Sequence, residues 1–177
     1  MQLPFVYQTI DIPNYASIHS ELESFALDHS AHCHGVFNHV DIHSLESHCP
    51  LITQWFSTHN LTPKICALIQ FPPGSDQGGA HTDSTQDRLA LNFGIKNLLH
   101  TWTAFYILKS GEPVQKTHPL GRPWDHYAGA DLEEIGRVNL VKPTLINVAV
   151  PHAVHNPTDD TRISVSFRFD QNPWHLI

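Results

Sequence analysis

Hydrophobic spacing divides the chain into two parts with different periods. In YASIHSELESFALDHS (15–30), Tyr15, Ile18, Leu22, Phe25 and Ala26 recur at three- and four-residue intervals, the stripe of an amphipathic helix. SLESHCPLITQWFSTHN (44–60) offers a second, Pro-interrupted helix with Leu51, Ile52, Trp55 and Phe56 on its apolar side. Between them, GVFNHVDIH reads as a strand. From Lys64 the period shortens to two. KICALIQF, RLALNFGI, TWTAFYIL, GRVNLV, TLINVAV and TRISVSFRF are short runs punctuated by Gly, Pro, Asn and Asp. Six strands at this density predict a mainly β sandwich or small barrel. Residues 1–63 are then a mixed support region, and 64–170 the β core of one domain spanning 1–177.

Alternation within the strands assigns faces. In RISVSFRF, Arg162, Ser164, Ser166 and Arg168 share one face, and Ile163, Val165, Phe167 and Phe169 share the other. RLALNFGI sets Arg88, Ala90, Asn92 and Gly94 against Leu89, Leu91, Phe93 and Ile95. Each strand thus has a greasy face and a face of small and polar residues, which suits a ligand-holding lumen better than open solvent. Trp102 and Tyr106 share a face of TWTAFYIL, where core packing is the expectation. The segment from Lys109 to Asp131 is rich in Pro and Gly and carries Trp124, His126 and Tyr127; its length predicts a loop acting as a substrate lid.

Composition narrows the classes. A 177-residue chain with 41% hydrophobic residues has the makings of a sizeable core. Its net charge of -7, with only ten Lys plus Arg, gives no basic footprint for nucleic acid or an anionic membrane. The start MQLPFVYQTIDIPNY has no basic segment leading into an apolar one, and no window approaches a membrane span, so a cytoplasmic protein is expected. Cys33, Cys49 and Cys66, odd in number and widely spaced, argue against a disulfide framework.

Histidine and acid positions supply the candidate chemistry. There are three His-x-acid pairs among 15 histidines. His19 and Glu21 lie in a predicted helix, where residues two apart diverge by about 200° and cannot chelate one ion. His39, Asp41 and His43 share a face if HVDIH is a strand; with Cys33, His34, His48 and Cys49 nearby they form a rival metal cluster, though no paired Cys or His spacing fixes its geometry. The third pair, His81-Thr-Asp83, has a richer context. His152 follows in VPHAVHNPTDDTRISVSFRF, and Arg162 comes ten residues later as the start of Arg162-Ile-Ser164.

His-x-Asp, a distal His and Arg-x-Ser at this separation resemble the signature of the iron(II)- and 2-oxoglutarate-dependent oxygenases. The resemblance covers roughly Lys64 to Asp170 and is most similar to the aspartyl/asparaginyl β-hydroxylase-like and small proline-hydroxylase-like branches. It implies a double-stranded β-helix, a cupin-like jelly roll, with N-terminal helices flanking one sheet. It also implies iron(II) held by His81, Asp83 and His152, and 2-oxoglutarate reaching Arg162 with help from Ser164. Dioxygen would be the third reactant, with 2-oxoglutarate converted to succinate and CO2 and a C–H bond hydroxylated. Two imidazoles and one carboxylate on one face of iron(II) leave positions open, and an arginine fork suits the far carboxylate of the keto acid. His155 competes for the distal ligand but stands only seven residues before Arg162, which leaves it as a substrate contact. Arg88 and Asn92 are further substrate contacts, for a small molecule, amino acid or peptide. Two other classes stay open: a cupin-like metal protein without oxygenase activity, and a noncatalytic jelly-roll binding module.

Overall fold

The computed structural model describes residues 5–31, 36–76, 79–83, 88–117, 123–128 and 130–177. The N-terminal part holds β1 (Tyr7–Thr9), α1 (Tyr15–Ser30), β2 (Phe37–Val40), α2 (Ile42–His48) and α3 (Pro50–Thr58). Then come β3 (Pro63–Phe71), β4 (Ser75–Asp76), β5 (His81–Thr82), β6 (Leu89–Lys96), β7 (Trp102–Ser110), β8 (Val114–Thr117) and β9 (Pro123–His126). The chain continues through β10 (Asp131–Val138), β11 (Thr144–Asn147), β12 (His152–Asn156) and β13 (Arg162–Phe169).

The strands form two antiparallel sheets. The first has the order β1-β11-β6-β13-β3-β2; the second runs β10-β7-β12-β5-β9-β8, with β4 also pairing to β12. Successive strands alternate between the sheets from β11 through β13, the winding of a double-stranded β-helix. The fold is therefore mainly β and jelly-roll, with the helices on one side. None of the helices among the described residues is long and apolar enough to cross a membrane.

Alternation explains both faces of the first sheet. Its outer side carries Leu91, Phe93, Val165 and Phe167, which pack with Ile18, Leu22 and Phe25 of α1 and Ile52, Trp55 and Phe56 of α3 in the main core. A smaller core of Ala90, Phe105, Val138, Leu140, Ile146 and Val148 joins the two sheets. Gly94 lets the backbone after β10 pass close to β6, because a Cβ there would lie 2.2 Å from the Leu140 carbonyl oxygen.

Three sequence expectations change. HVDIH is not one strand: β2 ends at Val40, and Asp41 turns the chain into α2 by accepting the Ser44 amide at 3.2 Å. His39, Asp41 and His43 thus lose their common face. The Pro-interrupted helix is two helices, broken at Cys49 and restarted by Pro50 in its first turn, where a missing N–H costs nothing. The segment 109–131 is not a plain loop. β7 runs to Ser110, and β8 and β9 pair as two added strands, Lys116 opposite Trp124, on the edge of the second sheet. Residues 118–122, between them in sequence, are outside the described residues.

Candidate metal centre

Two strand ends bring the candidate ligands together. β5 places His81 directly opposite His152 of β12, and residue-by-residue pairing puts both imidazoles on the inner face. Asp83 follows β5 and is anchored by its amide, which donates to the Val148 carbonyl at 2.9 Å. The ligand atoms of His81, Asp83 and His152 all lie within 4.8 Å of one another. His81 Nε2 is 3.5 Å from Asp83 Oδ1, and the two imidazole centroids are 4.5 Å apart. His152 Nδ1 lies 2.9 Å from the Val150 carbonyl, to which it donates, so Nε2 is left with the lone pair a metal needs.

Burial sets the charge states. Removal from water pushes the His81 pKa down to about 3, with the neighbouring His152 adding to the effect, and burial also lowers His152. Both are neutral at pH 7. Burial would raise Asp83, but the charge of Arg168, the nearby His152 and His81 and the Arg168 hydrogen bond together hold the carboxyl below its ordinary value. Arg168 Nη2 is 2.5 Å from Asp83 Oδ2, and Nη1 reaches Ser166 Oγ at 3.3 Å. Two neutral imidazoles and one carboxylate are a donor set for a divalent transition metal.

A cavity of about 130 Å³ opens from these ligands and runs between the sheets to Arg162. Asn92, Thr103, Ser164 and Ser166 are among its polar walls, and Phe71, Leu140, Ile146 and Val154 among its apolar ones. Arg162 is only 2% exposed. Its Nη2 donates to Thr103 Oγ1 at 3.3 Å, its Nε has no partner, and no carboxylate pairs with it among the described residues. Burial alone lowers its pKa to about 10, so it remains charged at neutral pH. An unpaired buried cation costs several kcal/mol and calls for an anion.

The remaining sequence candidates divide. Asn92 and Ser164 line the cavity beside Arg162. Arg88 does not; it is exposed, where β6 begins. His155 does not either, because it stands three residues from His152 and so faces the outside of the sheet. There it stacks on Trp102 at 5.3 Å and meets the Tyr106 hydroxyl at 3.1 Å. Trp102 and Tyr106 accordingly form a half-buried outer cluster rather than core. The rival N-terminal group does not converge: His43 faces Glu46 at 3.3 Å and His48 bonds the Ser44 carbonyl at 2.7 Å. Cys33 and His34 lie outside the described residues. Among the described residues, His81, Asp83 and His152 are the one group placed to hold an ion.

Three residues near the ligands had no place in the metal site read from the sequence, although Trp124 and His126 were noted in the candidate lid. Arg168 was on the correct face of its strand, but only the tertiary structure shows that it reaches Asp83. Trp124 meets His81 edge to face at 5.4 Å, and His126 is paired opposite His81; both come from a segment with no strand-like pattern.

No family model matches the chain, and no curated protein matches it. Solved structures do match over nearly its whole length. The non-heme alpha ketoglutarate dependent epimerase SnoN from nogalamycin biosynthesis is 12% identical with a TM-score of 0.55, covering 92% of this chain and 75% of its own. A Pseudomonas putida prolyl-4-hydroxylase is 14% identical with a TM-score of 0.54, covering 93% and 91%. The non-heme monooxygenase ThoJ is 13% identical with a TM-score of 0.51, covering 94% and 72%. The chain has the fold of the iron- and 2-oxoglutarate-dependent oxygenases. Within that fold its His81, Asp83 and His152 stand on the inner face of the second sheet, at one end of the cavity, with Arg162 on the facing sheet.

Proposed function

We propose that the protein is an iron(II)- and 2-oxoglutarate-dependent oxygenase that hydroxylates a C–H bond of a small molecule, amino acid or peptide in the cytoplasm. The observation that carries this reading is Arg162, a buried guanidinium with no carboxylate partner among the described residues, sharing one cavity with two neutral imidazoles and a carboxylate. A metal protein of the same fold without a keto-acid cosubstrate has no use for that cation.

His81, Asp83 and His152 would hold the iron, which when bound would supply the activation of dioxygen coupled to decarboxylation of 2-oxoglutarate to succinate and CO2. Arg162 binds the far carboxylate of the cosubstrate through its planar fork. Ser164 and Thr103 add hydroxyl donors beside it, and Thr103 already holds one guanidinium nitrogen. Arg168 would orient Asp83 through its hydrogen bond to Oδ2, as outer partners of metal ligands do. Phe71, Ile146 and Val154 exclude water from the path between them. Asn92 is placed to contact cosubstrate or substrate from the cavity wall.

The test is anaerobic addition of 2-oxoglutarate to the iron(II)-loaded protein. A weak visible metal-to-ligand charge-transfer band is expected, followed in air by succinate formation. Neither band nor succinate would sink the reading.

A further inference from the structure

The proposed oxygenase chemistry leaves the substrate open, and the added hairpin of β8 and β9 bears on it. Pairing of His81 with His126, and of Trp124 with Lys116, puts His81, Trp124, His126 and Lys116 on one face of the second sheet. The Trp124 ring stands 5.4 Å from His81 at 87° and 5.5 Å from His126. Lys116 Nζ lies 5.4 Å from the centre of the same indole. Gly79, at φ +116°, makes the room: a Cβ there would come within 2.9 Å of His126 Nε2. A continuous wall therefore leads from a candidate metal ligand, across an indole, to a cation.

Charge pairing makes that cation unusual. This is an acidic chain, with 17 Asp plus Glu against ten Lys plus Arg. Lys96, Lys109, Arg137, Lys142 and Arg168 each have a carboxylate within 3.5 Å. Arg88, Lys116 and Arg162 have none among the described residues. Two of them are tied to the metal centre. Arg162 lies inside the cavity, and Lys116 stands by the indole that meets His81. With acids in surplus, cations left unpaired around one site create a local positive field that draws an anion.

We infer that the substrate is an organic anion with a flat or apolar body, which packs against Trp124 while its carboxylate meets Lys116. This assignment rests on the proposed function for the reaction, but not for the binding. Arg162 is reserved for the cosubstrate, whereas Lys116 is exposed and has no carboxylate partner among the described residues. Indole supplies area and a π face for the body of the ligand.

The experiment compares phenylacetate with neutral phenylacetamide on the full chain loaded with zinc(II) and 2-oxoglutarate, where no turnover occurs. Binding is read from the Trp124 indole N–H resonance, assigned by its loss in Trp124→Phe. At low salt the acid is expected to bind about three- to fivefold tighter than the amide, the range open to an exposed charge. Lys116→Gln should remove that preference while leaving amide binding and thermal stability unchanged, since the side chain is exposed. Trp124→Leu should weaken both probes, read from ligand-observed saturation transfer. Arg162→Met should abolish 2-oxoglutarate binding yet keep the preference for the acid, which separates failure of the cosubstrate reading from failure of this one. Equal binding of acid and amide would overturn the inference. So would a preference that survives Lys116→Gln, or displacement of 2-oxoglutarate by phenylacetate.

Discussion

Two regions of this chain are rich in histidine and acid, and folding treats them in opposite ways. In the N-terminal layer the polar groups are consumed locally: Asp41 caps α2, His48 and His29 bond carbonyls of their own helices, and Glu21 caps α3 by accepting the Leu51 amide at 2.9 Å. Between the sheets, His81 and His152 are stripped of water and charge, and Arg162 is left with an unpartnered nitrogen. The first arrangement lowers the energy of the protein by itself. The second raises it until a ligand arrives, which is what distinguishes a binding site from a capped helix.

The sharpest way to break this contrast is to exchange the roles of two aspartates. Asp83→Ala should cut iron(II) or cobalt(II) affinity by more than about 100-fold, beyond the range seen for outer partners of metal ligands, as measured by calorimetric titration. Asp41→Ala should leave that affinity unchanged; the reverse pattern would move the metal to the N-terminal layer.

Arg162→Met probes the cost of the unpaired cation. The ligand-free variant should be more stable than the parent by about 1–4 kcal/mol in denaturant titration, because a desolvated charge is replaced by an apolar chain of similar length. It should also lose the stabilisation of about 2.7 kcal/mol expected from 2-oxoglutarate at 100-fold its dissociation constant. A variant less stable than the parent would make the arginine a structural residue. For Arg168→Met the expected loss is about 10- to 100-fold in metal affinity with 2-oxoglutarate contacts intact, and an unchanged titration would show that Asp83 needs no partner.

Protons sharpen the comparison further. His81 titrates near 3 in the fold against an ordinary value of 6.5, so the unfolded chain binds more protons between these values. The metal-free protein should therefore lose stability as the pH falls below 6.5, continuing toward 3, and His81→Gln should flatten that slope in thermal denaturation. Equal slopes in parent and variant would place the pH sensitivity elsewhere. The smallest effect expected is the stability change in Asp41→Ala, about 1 kcal/mol from the lost helix cap, measured as a shift in urea midpoint.

How much was legible beforehand depended on whether the signal was local. The stripe of α1 and the alternation of β3, β6, β7 and β13 are local patterns, and each places its element within a few residues. Asp41 shows the opposite. Its strand reading relied on period two across HVDIH, and the capping preference of aspartate before a helix won. β8 and β9 were missed because Val114–Thr117 is exposed throughout and so has no buried face to impose alternation. Arg88 shared a face with Asn92 by parity, yet it stands ahead of β6 and outside the cavity, since parity sets a direction but not a depth.

The sequence by itself determined the mainly β architecture, the greasy and polar faces of its strands, and the set of residues able to form a His-Asp-His site with an arginine. Those depend on side-chain type and on periods of two and 3.6, which are properties of neighbouring residues. Only the tertiary structure decided which of two histidine-rich regions converges on a point, that Arg168 partners Asp83, and that Trp124 stands beside His81 with Lys116 against its ring. These are contacts between residues tens of positions apart, and they exist because strand register between two sheets, not spacing along the chain, sets the distances.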